Sequence, residues 1–491
     1  MATSANTDCV WHPAGGTGRR ATTIRVLPDD VLLEMFCFYQ QNRPREWHVL
    51  VHVCRGWRQV VFASPIRLDL RIMCTSTTPV RKNLGIWPAL PIFVEYESDG
   101  NDFHKVSNED NIVYALEQND RVCGVTLDYI TGSDLEKIST VMQAAFPVLT
   151  SLHISSSEDP GIAPALPVEF MEGSAPRLRS IYLSGIPFPA LPTLLLNTSD
   201  LVNLCLINIP RTGYISPEAM VVGLSALPRL RNFRFGFRSA TPRPDRIHPP
   251  PVTRTVLPAL TEFDFKGASE YVEDLVARID APQLVNIYIS YLNQLVDFQV
   301  PQLAMFIDRS VGPKLNPFMY ALVTFHNSLV IFGTHCHPTN SSPDPHHAQT
   351  HVNCHGIDWQ VSHIAQVVSY FSTTLSNVVH LKLQNGYGFQ SEGVDDVEWL
   401  PLLHQFPTVR TLHVSNQLAG LVALALEDIS LETVAEVLPS LDLICFEGRP
   451  ASSVEKFIAA RQLSGRPVTV TVIETEEEFD ESVEYDSDVG E

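Results

Sequence analysis

Pro258-Ala259-Leu260-Thr261-Glu262-Phe263-Asp264-Phe265 is one copy of a pattern that returns along most of the chain. Reduced to Pro-x-Leu-x-x-Leu-x-Leu with conservative replacements, it occurs at Pro147 to Ile154, Pro176 to Leu183, Leu201 to Leu206, Pro228 to Phe235 and Pro282 to Ile289. Further copies run from Val378 to Leu383, Pro407 to Val414 and Pro439 to Phe446, with a weak one from Val122 to Leu127 and a degenerate one, Pro301-x-Leu303-x-x-Phe306. Alternating apolar residues at the end of each copy predict a short strand with two side chains turned inward, because successive strand residues face opposite ways. The segments between copies supply a helix or an irregular return, as Tyr271, Leu275, Val276 and Ile279 show by their spacing.

Copies recur mostly about every 24–32 residues, near the length of a leucine-rich repeat. Units this short cannot bury an apolar face alone, so neighbours must stack on one continuous core. The expected fold is an α/β solenoid, a leucine-rich-repeat-like array with parallel strands on its concave face. Outward strand positions there include Ser151, His153, Glu262, Lys266, His380, Lys382, Thr411 and His413. Tyr182, Arg234, Asp264 and Tyr288 share that position on neighbouring or near-neighbouring strands, and they are the expected contacts for a protein target, since Tyr and Arg are common at binding hot spots.

A different signal precedes the array. Pro28 suits a first helical position and Asp29 and Asp30 suit the positive end of a helix dipole, while Val31, Leu32, Met35 and Phe36 recur at helical spacing. A second stretch places Leu50, Val53, Cys54, Trp57 and Val61 on one stripe, and Ser64-Pro65 closes it. Such a unit carries more apolar surface than a few short helices hide among themselves.

Leu27-Pro28-x-Asp30-Val31-Leu32-x-x-Met35-Phe36, then Val53-Cys54-Arg55-x-Trp57-Arg58 and Ser64-Pro65, resembles an F-box. The chain departs from that family after Ser-Pro, where Ile66-Arg67-Leu68 stands in place of the usual Leu-Trp pair. The resemblance implies a helical trap docking on a Skp-type adaptor, and through it a cullin, by way of Leu27, Pro28, Leu32, Met35, Phe36, Leu50, Val53, Cys54 and Trp57. It also implies a substrate-recognition subunit of an SCF-type ubiquitin ligase, in which the array holds an unknown protein substrate. Composition and repeat style are similar to the expanded F-box families of mushroom-forming fungi. Two alternatives remain open: an F-box scaffold acting outside ubiquitin transfer, and an enzyme with a site within 308–372.

The expected order of parts is a disordered lead (1–23), the F-box (24–70), the array (85–307), an irregular His/Pro-rich insertion (308–372), further repeats (373–473) and an acidic disordered tail (474–491). Leu322 to Phe325 and Leu329 to Phe332 read as strands inside the insertion. His335, Cys336, His337, His346, His347, His351, Cys354 and His355 gather there, yet without the ligand spacing of a recognised zinc site, so no metal and no cofactor are expected. Gly15-Gly16-Thr17-Gly18 lacks the Lys-Ser/Thr of a phosphate loop, and no hydrolase or metalloprotease motif occurs, so the chain reads as no enzyme. A formal net charge of −21 opposes nucleic-acid binding. No apolar run is long enough for a membrane span, no secretory leader is legible, and the cysteines are unevenly spaced. These point to a cytoplasmic or nuclear address.

Overall fold

The computed structural model describes residues 27–42, 47–64, 71–86, 89–96, 109–156, 164–240, 253–292, 299–311, 318–336, 347–386, 388–389, 397–430, 433–448 and 454–473. The lead, the segment from Pro65 to Leu70, the loop residues His337 to His346 and the acidic tail lie outside the described residues. The chain divides into two compact units, one of Met1–Arg71 with Ala89–Ile92, the other of Ile72–Pro88 with Phe93–Glu491.

In the first unit, α1 (Asp29–Asn42), α2 (Trp47–Val53) and α3 (Arg55–Ala63) are short helices. Leu32, Phe36, Leu50, Val60 and Val61 are buried, and the Phe36 ring meets Trp57 at 4.8 Å. Cys54 caps α3, its Sγ accepting the Trp57 N–H at 3.5 Å, while Arg58 Nε donates to the Val51 carbonyl at 3.0 Å. The α2–α3 joint is therefore fixed by hydrogen bonds as well as by packing.

Among the described residues, sixteen strands form one sheet. The first seven strands of the chain are β1 (Arg71–Met73), β2 (Ile92–Tyr96), β3 (Val122–Ile130), β4 (Ser151–Ser156), β5 (Ser180–Ser184), β6 (Asn203–Ile209) and β7 (Asn232–Phe237). Next come β8 (Thr255–Val256), β9 (Glu262–Gly267), β10 (Ile279–Asp280) and β11 (Asn286–Tyr291), of which β8 and β10 pair apart from the main sheet. The remainder are β12 (Tyr320–Phe325), β13 (Val330–His335), β14 (His347–Val352), β15 (His380–Asn385), β16 (Thr411–Val414), β17 (Leu443–Glu447) and β18 (Thr469–Ile473). Strands β4, β5, β6, β7, β9 and β11 lie side by side and parallel in that order, and β15, β16 and β17 extend the same sheet in parallel. The chain is a leucine-rich-repeat-like α/β solenoid.

Register explains why the repeat packs. Leu152, Ile181, Leu204, Phe233, Phe263 and Ile287 align across six strands, and so do Ile154, Leu183, Leu206, Phe235, Phe265 and Ile289. All twelve are buried. The phenylalanines stack in pairs, Phe233 on Phe263 at 5.6 Å and Phe235 on Phe265 at 6.4 Å. Tyr271, on the helix Ser269–Ala277, lies flat against Phe265 at 5.7 Å, and its buried hydroxyl donates to the Ile215 carbonyl at 2.8 Å. On the same helix Asp274 is buried and receives Arg278 Nε at 3.0 Å, while Arg278 also reaches Glu218 at 2.8 Å.

Two parts of the sequence reading change. The degenerate copy at Pro301 is not a strand but the start of the helix Pro301–Val311. Val300, Leu303, Phe306 and Ile307 are buried at a three-to-four-residue spacing, which suits one helical stripe and not a strand. Within 308–372, the two strands read from the sequence are joined by a third, β14, and all three belong to the main sheet. The sheet runs β11-β14-β13-β12-β15, with β13 antiparallel to both of its neighbours.

The Pro301 helix depends on Glu273. Its carboxylate accepts the N–H groups of Gln302 and Leu303, each at 2.8 Å, satisfying two donors that a helix N-terminus leaves open. Burial pushes this carboxyl up to about 7, against the two amides, which favour its charged form. A carboxyl raised above its unfolded value near 4.5 contributes stability fully below that value and loses it as pH rises to about 7. The stability of the wild type relative to Glu273→Gln should therefore fall between about pH 4.5 and pH 7 and then level off. Urea unfolding of both chains across that range checks it; a flat difference would show that Glu273 ionises normally.

Candidate protein-binding surfaces

In the helical unit, the F-box-like residues separate into two roles. Leu32, Phe36 and Leu50 are buried, Cys54 is the α3 cap, and half-buried Trp57 packs on Phe36. These five hold the unit together. Leu27, Pro28, Met35 and Val53 are exposed. Val31 and Phe38 extend the exposed set, the latter 70% accessible, so Val31, Met35 and Phe38 recur at helical spacing on α1, with exposed Leu27 just before it. Val49 and Val53 of α2 are exposed as well. A second apolar stripe on a helix whose first stripe already faces its own core has the character of an interaction surface. Periodicity alone did not single out Phe38, because Tyr39, Gln40 and Gln41 after it break the apolar pattern.

In the solenoid, core positions alternate with positions on the open face of the sheet. One row of the open face runs Thr126, His153, Tyr182, Cys205, Arg234, Asp264, Tyr288 and Gln349 in register. Arg234 Nε donates to Asp264 Oδ2 at 2.7 Å. Burial raises the Asp264 carboxyl, and Arg234 opposes that rise. Arg234, Asp264 and Tyr288 come together around a cavity of about 360 Å³, with Glu262, Ser290 and His351. A smaller cavity of about 230 Å³ lies on the β6 side and shares Arg234, Glu262 and Asp264.

Tyr182 sits apart from that cavity. It stacks on His153, ring centres 4.0 Å apart, and His153 Nε2 meets Asp128 Oδ1 at 2.9 Å. The His153 hydrogen bond holds the Asp128 carboxyl below its ordinary value, with Ser155 Oγ also donating to it at 2.9 Å. This is not the Ser-His-Asp order of a nucleophile relay, because Asp128 lies between Ser155 and His153 and the hydroxyl meets the carboxylate, not the imidazole. Asp128 escaped the sequence reading: β3 breaks register after Leu127, where Tyr129 takes a positive φ of 56°, so strand alternation does not place it.

Thiol and imidazole chemistry are also weak. Burial pushes the thiols of Cys74 and Cys354 up to about 12 and that of Cys205 to about 11, so none is a thiolate at neutral pH. His335 and His347 pair in register across β13 and β14, but among the described residues no three His, Cys, Asp or Glu side chains are placed to hold a metal ion. No helix among the described residues is long and apolar enough to cross a membrane.

No family model matches the chain, and no curated protein matches it in sequence. Among solved structures, the leucine-rich repeat-containing protein LegL7 from Legionella pneumophila is similar at 12% identity and a TM-score of 0.25, over 82% of this chain and 99% of that one. The solenoid is defined here by its own strand order and register.

Proposed function

We propose that this protein is a substrate-recognition subunit of an SCF-type ubiquitin ligase, working in the cytosol or nucleus. The observation that carries this reading is the exposed stripe of Val31, Met35 and Phe38, with Leu27 just before it, on a helical unit with its own small core. Cys54, Trp57 and Arg58 of the Val53-Cys54-Arg55-x-Trp57-Arg58 signature help to build that unit, and the exposed stripe is the surface that would meet a Skp-type adaptor. Docking draws on apolar burial, worth about 25 cal/mol per Å² removed from water. The open face of the solenoid then holds a protein target, and the chain contributes proximity and orientation while its partners carry the transfer chemistry.

Met35→Asp tests the reading. Met35 is 46% exposed, so the helix should tolerate the change, while docking would force a carboxylate into an apolar contact. Affinity for a purified Skp-type adaptor, measured by calorimetry, should fall by about 100-fold or more. Unchanged affinity, or no binding by the wild type, would remove the adaptor role.

A further inference from the structure

We propose that the cavity over β7, β9, β11 and β14 reads an arginine of the captured protein, seating its guanidinium between the carboxylates of Glu262 and Asp264 and the ring of Tyr288. The inference rests on the protein-capture reading of the open face and names what the captured segment must present.

The charge inventory points to a cation. Among the described residues, two carboxylates and one guanidinium line the cavity, and the Nε of Arg234 is already committed to Asp264. Glu262 lines both cavities and has no ion-pair partner among the described residues. The field also changes sign across the Arg234–Asp264 pair. At the Cys205 thiol, on the β6 side, Arg234 is the strongest charge influence and favours the anion. At the Tyr288 hydroxyl, on the other side, Glu262 and Asp264 outweigh Arg234 and, together with burial, hold the phenol above its ordinary value. The larger cavity lies on this negative side.

Shape and hydrogen bonding narrow the cation to a guanidinium. His351 also lines the cavity, its Nε2 buried without a hydrogen-bond partner, and burial with the nearby His326 charge keeps the ring below its ordinary value. A guanidinium presents five N–H donors in a rigid plane, which suits a carboxylate fork and an aromatic face together. An ammonium is a point charge with a strongly held water shell and matches that set less well. An anionic ligand would have Arg234 for a partner but would meet Glu262 and Asp264 at close range. A space of about 360 Å³ admits an arginine side chain and its flanking backbone.

The test uses the full chain and a short fluorescein-labelled Gly/Ser peptide carrying arginines, beside versions carrying citrulline, lysine or glutamate, read by fluorescence anisotropy at physiological ionic strength. The arginine peptide should bind about tenfold or more tightly than the citrulline and lysine peptides, and Glu262→Gln and Tyr288→Ala should each weaken it about tenfold. Glu117→Gln, at an exposed residue after the helix Glu109–Leu116, should leave binding unchanged, which separates the pocket from general attraction to a chain of net charge −21. Equal binding of the citrulline or lysine peptide, indifference to Glu262→Gln with the unfolding midpoint unchanged, or preference for the glutamate peptide would overturn the proposal; the last would give the site to Arg234. Adaptor binding, measured separately, keeps the two readings distinct. Arginine binding without adaptor binding leaves the pocket standing and removes the ligase role, and the reverse removes the pocket alone.

Discussion

Phe265→Ala is expected to destabilise the solenoid by about 3–5 kcal/mol, the range for emptying a large aromatic site in a packed core. Phe265 is fully buried, stacked on Phe235 on one side and on Tyr271 on another. Its neighbours have little room to collapse inward. Phe235 is itself held against Phe237 at 5.0 Å, and Tyr271 is tethered through its hydroxyl to the Ile215 carbonyl. A void there therefore stays open and the full cavity penalty applies. Because each repeat supports its neighbours, the loss should appear as a lower unfolding midpoint for the central strands in hydrogen exchange as well as in bulk denaturation. A change under about 1 kcal/mol would mean that the ring stack repacks, contrary to the tethering of Tyr271.

Arg278→Ala should come close to that effect by another route. The Arg278 side chain is 13% exposed and that of Asp274 only 4%, so the pair is shielded from solvent. Removing the guanidinium leaves a carboxylate in the interior without its cation, a situation that typically costs about 3–5 kcal/mol. Burial already raises the Asp274 carboxyl, and Arg278 is the main influence opposing it. Without Arg278 the carboxyl rises further, so the deficit should be smallest at low pH, where Asp274 is protonated folded and unfolded. It should grow as pH rises above the unfolded carboxylate range. Asp274→Leu combined with Arg278→Met should recover much of the loss, since an apolar pair of similar volume needs no desolvation. Thermal unfolding of the single and double variants at two pH values decides it; a double variant no better than Arg278→Ala would show that Arg278 acts through Glu218 instead.

Most of the solenoid was legible because its strands carry their own signature. Leu, Ile and Phe at alternate positions gave both the strands and their inward faces. The common template position of Arg234 and Asp264, between two phenylalanines in each copy, already placed them opposite one another. Four strands of the main sheet were hidden. Arg71–Met73 and Ile92–Tyr96 are short and precede the first copy, and Thr469–Ile473 alternates without the Pro-x-Leu lead. His347–Val352 is the instructive miss: only Ala348, Thr350 and Val352 face inward, and pairing with β11 and β13 makes it a strand. His351 reaches the cavity through that pairing, so nothing local could have assigned it. In the helical unit the motif residues were visible, but which held the unit and which stayed exposed depended on packing.

The order β11-β14-β13-β12-β15 sets how the chain can be assembled in time. Elsewhere along the array each strand pairs with one laid down about 30 residues earlier or fewer, as Asn286 does with Glu262. At this seam Asn286 pairs with His347 and Tyr320 with His380, each about 60 residues apart. A doubled loop adds only about 0.6 kcal/mol of closure entropy, so the finished sheet is scarcely weaker there. The path is different. Growth by successive addition from the N-terminal side stops at β11, because the next strand made, β12, belongs two places further on. The C-terminal repeats can nucleate on β12 before the seam is filled, and the β13–β14 segment then joins two preformed blocks. An emerging chain thus holds an open sheet edge at β11 until His347–Val352 has been synthesised, which makes this interval the one in which mispairing with another chain is most exposed.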